Sequence, residues 1–187
     1  MRAAARVAVA GAMAAVAALP AAGFDFTGTR SLIAVTADGA KTTIGAVQFT
    51  PAEGGAASFK LTLKTGVFTD FFLSMREFKC LPAAKEVSCH VPYPYPNPGT
   101  VSAGNLAWLE HSLLFLHKSP AEFGAKLWNG SYYAFQVRGD ALVGTPEAVD
   151  LNAIAAPPRD ASVPPFGKAQ RHEVPPGTRW LAALRIE

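Results

Sequence analysis

Asp38-Gly39 falls between two runs that read as strands, and this arrangement constrains everything around it. Residues 32–36 (Leu-Ile-Ala-Val-Thr) are apolar and rich in β-branched side chains, and residues 42–50 return with Val47 and Phe49 on one face. Asp-Gly supplies the backbone freedom of a tight hairpin, so the two runs are expected to pair antiparallel. Gly54-Gly55 then breaks the second run. Residues 58–64 alternate, with Phe59, Leu61 and Leu63 inward and the lysines outward. After Gly66, residues 68–78 read as a fourth strand, with Phe71, Leu73 and Met75 on one face and Ser74 and Arg76 on the other. Four strands joined by short turns predict a meander.

The next segment is built differently. Cys80 and Cys89 are the only cysteines, and a pair this close reads as a disulfide in an oxidising compartment. Their spacing does not fit a CxxC redox motif or a zinc site. Alternate prolines from Pro92 to Pro98 remove main-chain donors, so residues 90–99 are expected to form an extended arm, with Tyr93 and Tyr95 packing over a neighbour. Leu106, Leu109, Leu113 and Leu116 follow helical spacing and predict a helix over residues 105–117. Ser119-Pro120-Ala121-Glu122 is a capping box that predicts a second helix from Pro120 to about Asn129. A strand over residues 132–138 turns at Gly139-Asp140 and pairs with residues 141–145. Paired prolines punctuate residues 154–178, a long surface arm, before residues 180–186 alternate as a closing strand.

These readings give a mainly β chain with minor α content. An antiparallel meander forms a small barrel or curved sheet, with a helical insertion around 105–128 and a long Pro-rich arm before a C-terminal strand. Gly28-Thr29-Arg30 stands where a lipocalin-like barrel carries its G-x-W turn, but the tryptophan is absent, and no family resemblance follows.

The first 23 residues read as a cleavable export signal. Arg2 and Arg6 precede an uncharged apolar run, and Pro20-Ala21-Ala22-Gly23 offers small residues for cleavage before Phe24. That run is short for a membrane span, and no transmembrane anchor is expected in the mature chain. The expected organisation is a signal peptide over 1–23 and one β-rich domain over 24–187, acting in the periplasm or secreted. Of 17 Lys and Arg residues, 15 remain after the leader against 14 acidic ones, a net charge of +1. Such a chain presents no basic field for nucleic acid.

No catalytic motif stands out. His90, Glu110 and His111 are the candidates for a His/carboxylate hydrolase site, because a general base needs a neighbouring group to orient it. His111 and His117 are wrongly spaced for a zinc pair on one helix face, so no metal and no cofactor are expected. Phe72, Tyr93, Tyr95, Trp108 and Trp128 are the candidates for an aromatic-lined pocket or face. The leading expectation is a non-catalytic binding or interaction module of the cell envelope, taking an apolar small molecule or an envelope protein partner. A small hydrolase and a purely structural envelope component are the alternatives.

Overall fold

The computed structural model describes residues 23–73 and 76–187. The expected export signal therefore lies outside the described residues, apart from Gly23, as do Ser74 and Met75.

The Asp38-Gly39 hairpin forms between β1 (Gly28–Thr36) and β2 (Lys41–Pro51), and β3 (Ala57–Leu63) follows antiparallel. The single strand expected over 68–78 is instead a hairpin. β4 (Thr69–Phe72) pairs with β5 (Glu77–Pro82), setting Phe71 opposite Phe78. Two strands share that stretch, so the single alternation expected across it does not hold. The cysteine pair closes the next hairpin, between β5 and β6 (Val87–Val91), where Cys80 and Cys89 face each other directly and are disulfide-bonded with their Cα atoms 3.9 Å apart. β7 (Thr100–Val101) adds two residues to the free edge of β3.

The helical insertion shrinks to one short helix, α1 (Ala107–His111), followed at once by β8 (Leu114–Lys118). The leucine spacing misleads here because β8 lies inside the sheet, between β6 and β9 (Gly130–Arg138), and is covered on both faces. Leu114, Phe115 and Leu116 are consecutive and all buried. A strand buried on both faces reads as a continuous apolar run, which matches a helical template by chance. The capping box forms without its helix. Glu122 Oε2 accepts the Ser119 N–H at 2.8 Å, but Gly124, at φ 75°, turns the chain away after one turn.

The chain then runs through β9, β10 (Ala141–Val149), the short β11 (His172–Glu173) and β12 (Leu181–Ile186). All belong to one antiparallel sheet of 12 strands in the order β4-β5-β6-β8-β9-β10-β12-β1-β2-β3-β7, with β11 beside β10. Of the two expected architectures, the curved sheet is the one formed, and it is not closed into a barrel. One core unites Leu81 of β5, Phe115 of β8, Tyr133 of β9, Leu184 of β12, Leu32 of β1, Phe49 of β2 and Ala57 of β3. Strands so far apart in the sheet order can share one core only if the sheet curls around it. A second core on the opposite face gathers the disulfide, Leu114, Leu116, Tyr132, Val149 and Phe166.

Curling leaves a seam. β9 pairs with β8 only through Gly130 and Ser131, and beyond them its outer edge has no strand neighbour among the described residues. α1 fills this place, touching β7 on one side and β9 on the other. Leu106 and Leu109 point into the first core, while Trp108 packs with His111 in an aromatic cluster outside it. The residues that stopper the seam also build the site described next.

Candidate functional site

Strand alternation sorts β9 into two faces. Tyr133, Phe135 and Val137 enter the first core, so Tyr132, Ala134 and Gln136 project to the other side. Glu147 of β10 stands directly opposite Tyr132 in the β9–β10 ladder, which puts the two side chains on one face. The Pro-rich arm crosses this face and brings Pro164, Phe166, Lys168 and Arg171 over it. Between arm, α1 and strands lies a cleft of about 500 Å³, lined among others by Glu110, Tyr132, Ala134, Glu147, Phe166 and Arg171.

Glu110 closes the inner wall. Its Oε1 accepts the main-chain N–H of Phe135 at 2.7 Å, on the β9 edge that lacks a strand partner, and its Oε2 accepts the hydroxyl of Tyr132. The carboxylate thus takes the place of a missing strand. Burial pushes the Glu110 carboxyl above the usual carboxylate range, opposed by these two hydrogen bonds and the charge of Arg171. Burial also raises the Tyr132 phenol, and the neighbouring Glu110 charge adds to the rise.

His111 pins the arm. Fully buried, its ring donates from Nδ1 to the Ala107 carbonyl at 2.7 Å and accepts at Nε2 the N–H of Phe166 at 3.1 Å. These partners assign the neutral Nδ1–H tautomer. The ring stacks on Phe166 with centroids 5.4 Å apart, and burial drives its pKa down to about 4.

Arg171 and Glu147 form the outer wall. Arg171 Nη1 lies 3.2 Å from Glu147 Oε2, and the guanidinium covers the Tyr132 ring at 4.7 Å from its centroid. Arg171 Nε and Glu147 Oε2 are both buried and without a hydrogen-bond partner among the described residues. The contact between the two side chains is ionic, off the direction a hydrogen bond requires.

The expected site residues are dispersed. Glu110 lines the cleft, and His111 supports its wall from behind. His90 lies elsewhere, with Nε2 donating to the Ser112 carbonyl at 3.0 Å and its ring edge-on to Phe115. Neither histidine hydrogen-bonds a carboxylate, so the geometry does not bring His90, Glu110 and His111 together as an acid–base set. Of the aromatic candidates, Tyr93 and Trp108 pack against His111, and Tyr95 packs against Tyr93 and donates to the Ile154 carbonyl at 3.1 Å. They hold the Pro-rich segment at 92–98 against α1. Phe72 and Trp128 are 74% and 63% exposed and do not line the cleft; Trp128 borders a separate hollow of about 300 Å³. Arg171 and Glu147 carried no sequence signal beyond one of two arginines in a proline-rich arm and one acid near a strand.

Among the described residues, no group of His, Cys, Asp and Glu side chains is placed to hold a metal ion, and no helix is long and apolar enough to cross a membrane. Comparison with protein-family models, curated proteins and solved structures finds no match to this chain.

Proposed function

We propose that this chain is an exported binding module of the cell envelope, and that it holds a small ligand in the cleft between β9, β10 and the arm. One observation carries this reading: a cleft of about 500 Å³ opens between β9, β10 and the arm, with the Arg171–Glu147 ion pair in its wall. Around that pair the walls are apolar, with Leu106, Ala134, Phe135, Pro164 and Phe166, and a concave, mostly apolar space with a few convergent polar groups is the usual form of a small-ligand site. A binding role also accords with the other titratable groups at the cleft. Both oxygens of Glu110 and both ring nitrogens of His111 are already engaged by groups of the fold.

Native mass spectrometry on protein isolated from its own envelope tests the proposal. The expected result is a non-covalent adduct on the wild type that is absent from an Ala134→Phe variant, which fills the cleft from β9. A wild-type protein of bare mass, or an adduct that survives in a folded Ala134→Phe protein, overturns it.

A further inference from the structure

Residues 156–171 of the arm make few hydrogen bonds to the rest of the protein. Pro157, Pro158, Pro164 and Pro165 lack the N–H that a strand needs, so this stretch does not zip onto the sheet. Its main-chain bonds stay within it: Val163 donates to the Asp160 carbonyl, Gln170 to Gly167 and Arg171 to Lys168. Ser162 likewise turns back to the Asp160 carboxylate. Among the described residues, one hydrogen bond from this stretch reaches the body of the fold, the Phe166 N–H to His111 Nε2. The two ends are anchored differently. Ile154 is buried and its carbonyl accepts from the Tyr95 hydroxyl, while β11 pairs with β10 next to the Arg171–Glu147 ion pair.

That one bond needs an acceptor nitrogen. A neutral imidazole with its hydrogen on Nδ1, directed at the Ala107 carbonyl, offers one at Nε2; an imidazolium carries hydrogen on both nitrogens and offers none. No neighbour compensates the charge of a protonated ring. The arm brings the Arg171 guanidinium, itself paired with Glu147, and β9 brings the Tyr132 hydroxyl, already donated to Glu110. The segment at 92–98 contributes the ring of Tyr93, and α1 that of Trp108. Glu110, the carboxylate next along α1, is engaged by Tyr132 and Phe135 and not by the imidazole. Its own protonation acts on β9 and leaves the Phe166 N–H untouched. Burial is the main reason the His111 ring resists a proton, and the charge of Arg171 adds to it.

The same stretch builds one side of the cleft, through Pro164, Phe166, Gly167, Lys168 and Arg171. We infer that residues 156–171 are a proton-released strap: neutral His111 holds them down and completes the cleft, and its protonation frees them and removes that wall while the sheet stays folded. What the release does to a ligand rests on the binding reading above; the release itself shows in the ligand-free protein.

Amide hydrogen exchange of the ligand-free mature chain, followed by NMR at pH 7 and pH 5, tests it. Rates are expressed as protection factors, so that the pH dependence of exchange itself cancels. The Phe166 amide is expected to be less protected than the amides of β1 and β12 at both pH values, because the strap opens without the sheet. With the His111 pKa at about 4 while strapped and back at 6.5 once released, linkage raises the opening constant by roughly 20-fold from pH 7 to pH 5. His111→Gln keeps an acceptor for the Phe166 N–H but does not titrate, and should hold the Phe166 protection constant over that range. Phe166 protection equal to that of the β1 and β12 amides overturns the strap as a separate unit. Protection that is the same at both pH values in the wild type, or that still falls in a folded His111→Gln protein, overturns His111 as the latch. The adduct measurement above, repeated at pH 5, is expected to show the adduct depleted. An adduct undiminished at pH 5 overturns the part of the strap in binding and leaves the binding reading standing, whereas a bare mass at pH 7 overturns that reading alone.

Discussion

His111 Nε2 accepts the main-chain N–H of Phe166 at 3.1 Å, across 55 residues of sequence. This bond fastens the Pro-rich arm to α1, and it exists only while the imidazole is neutral. Once protonated, Nε2 becomes a donor aimed at another donor.

Stability should therefore fall in mild acid. The His111 pKa is depressed from 6.5 to about 4 in the fold. Between those values the unfolded chain binds a proton that the native state refuses, so stability is full above pH 6.5 and is lost as pH falls toward 4. A depression of that size corresponds to about 3 kcal/mol. Burial depresses His90 and His117 in the same direction, whereas Glu110, raised by burial, opposes them. Urea unfolding at a series of pH values should show this slope, and a His111→Gln variant should flatten it. Equal slopes in the two proteins would remove His111 as the source.

Glu110 should matter for structure before it matters for ligand. Truncation by Glu110→Ala leaves the Tyr132 hydroxyl and the Phe135 N–H without partners, at roughly 1–3 kcal/mol for each group. Glu110→Gln keeps one acceptor and should lose less. Thermal unfolding of the two variants checks the order.

The disulfide joins adjacent strands, and the loop it closes is short. Replacing both cysteines, Cys80→Ser with Cys89→Ser, should lower stability by roughly 2–3 kcal/mol in the chain-entropy model. Chemical denaturation of the double variant measures it, and a free-thiol assay on the wild type should find no reactive cysteine.

Gly130 marks where β9 passes closest to its surroundings. A Cβ there would lie 2.6 Å from the Val149 carbonyl oxygen and 2.7 Å from Leu151 Cγ. Gly130→Ala should therefore destabilise by about 1–3 kcal/mol, as overpacking a tight site does. A Ser131→Ala variant one residue on, without such a clash, should lose less in the same denaturation series.

The strands announced themselves where local rules governed them. The Asp38-Gly39 hairpin, the alternation of residues 58–64, the Gly139-Asp140 turn and the closing strand were all legible because each depends on neighbours in sequence. The misreadings have two physical origins. Burial of β8 on both faces, not spacing, decides the structure of residues 114–116. What read as one strand over residues 68–78 belongs to two, β4 and β5, so no single period runs through it. The cleft was harder still. Glu110 stood out as a candidate acid and Tyr132 only as the start of a strand, and their meeting depends on the seam left by a curled sheet. Arg171 reaches them only because the arm folds back, and no local pattern encodes that return.

β12 carries a consequence for the order of events in folding. This strand lies between β10 and β1, and among the described residues it is the strand that joins the two halves of the sheet. Main-chain bonds of Ser31 to Glu187 extend that seat by one residue. A chain emerging from its N-terminus therefore holds Leu32, Ile33 and Ala34 beside an empty edge until residues 181–186 have followed. Completion of the sheet waits for β12, which makes assembly dependent on contacts distant in sequence and slow. Until then, the exposed β1 edge is the place where a chaperone, or an unwanted neighbour, would take hold.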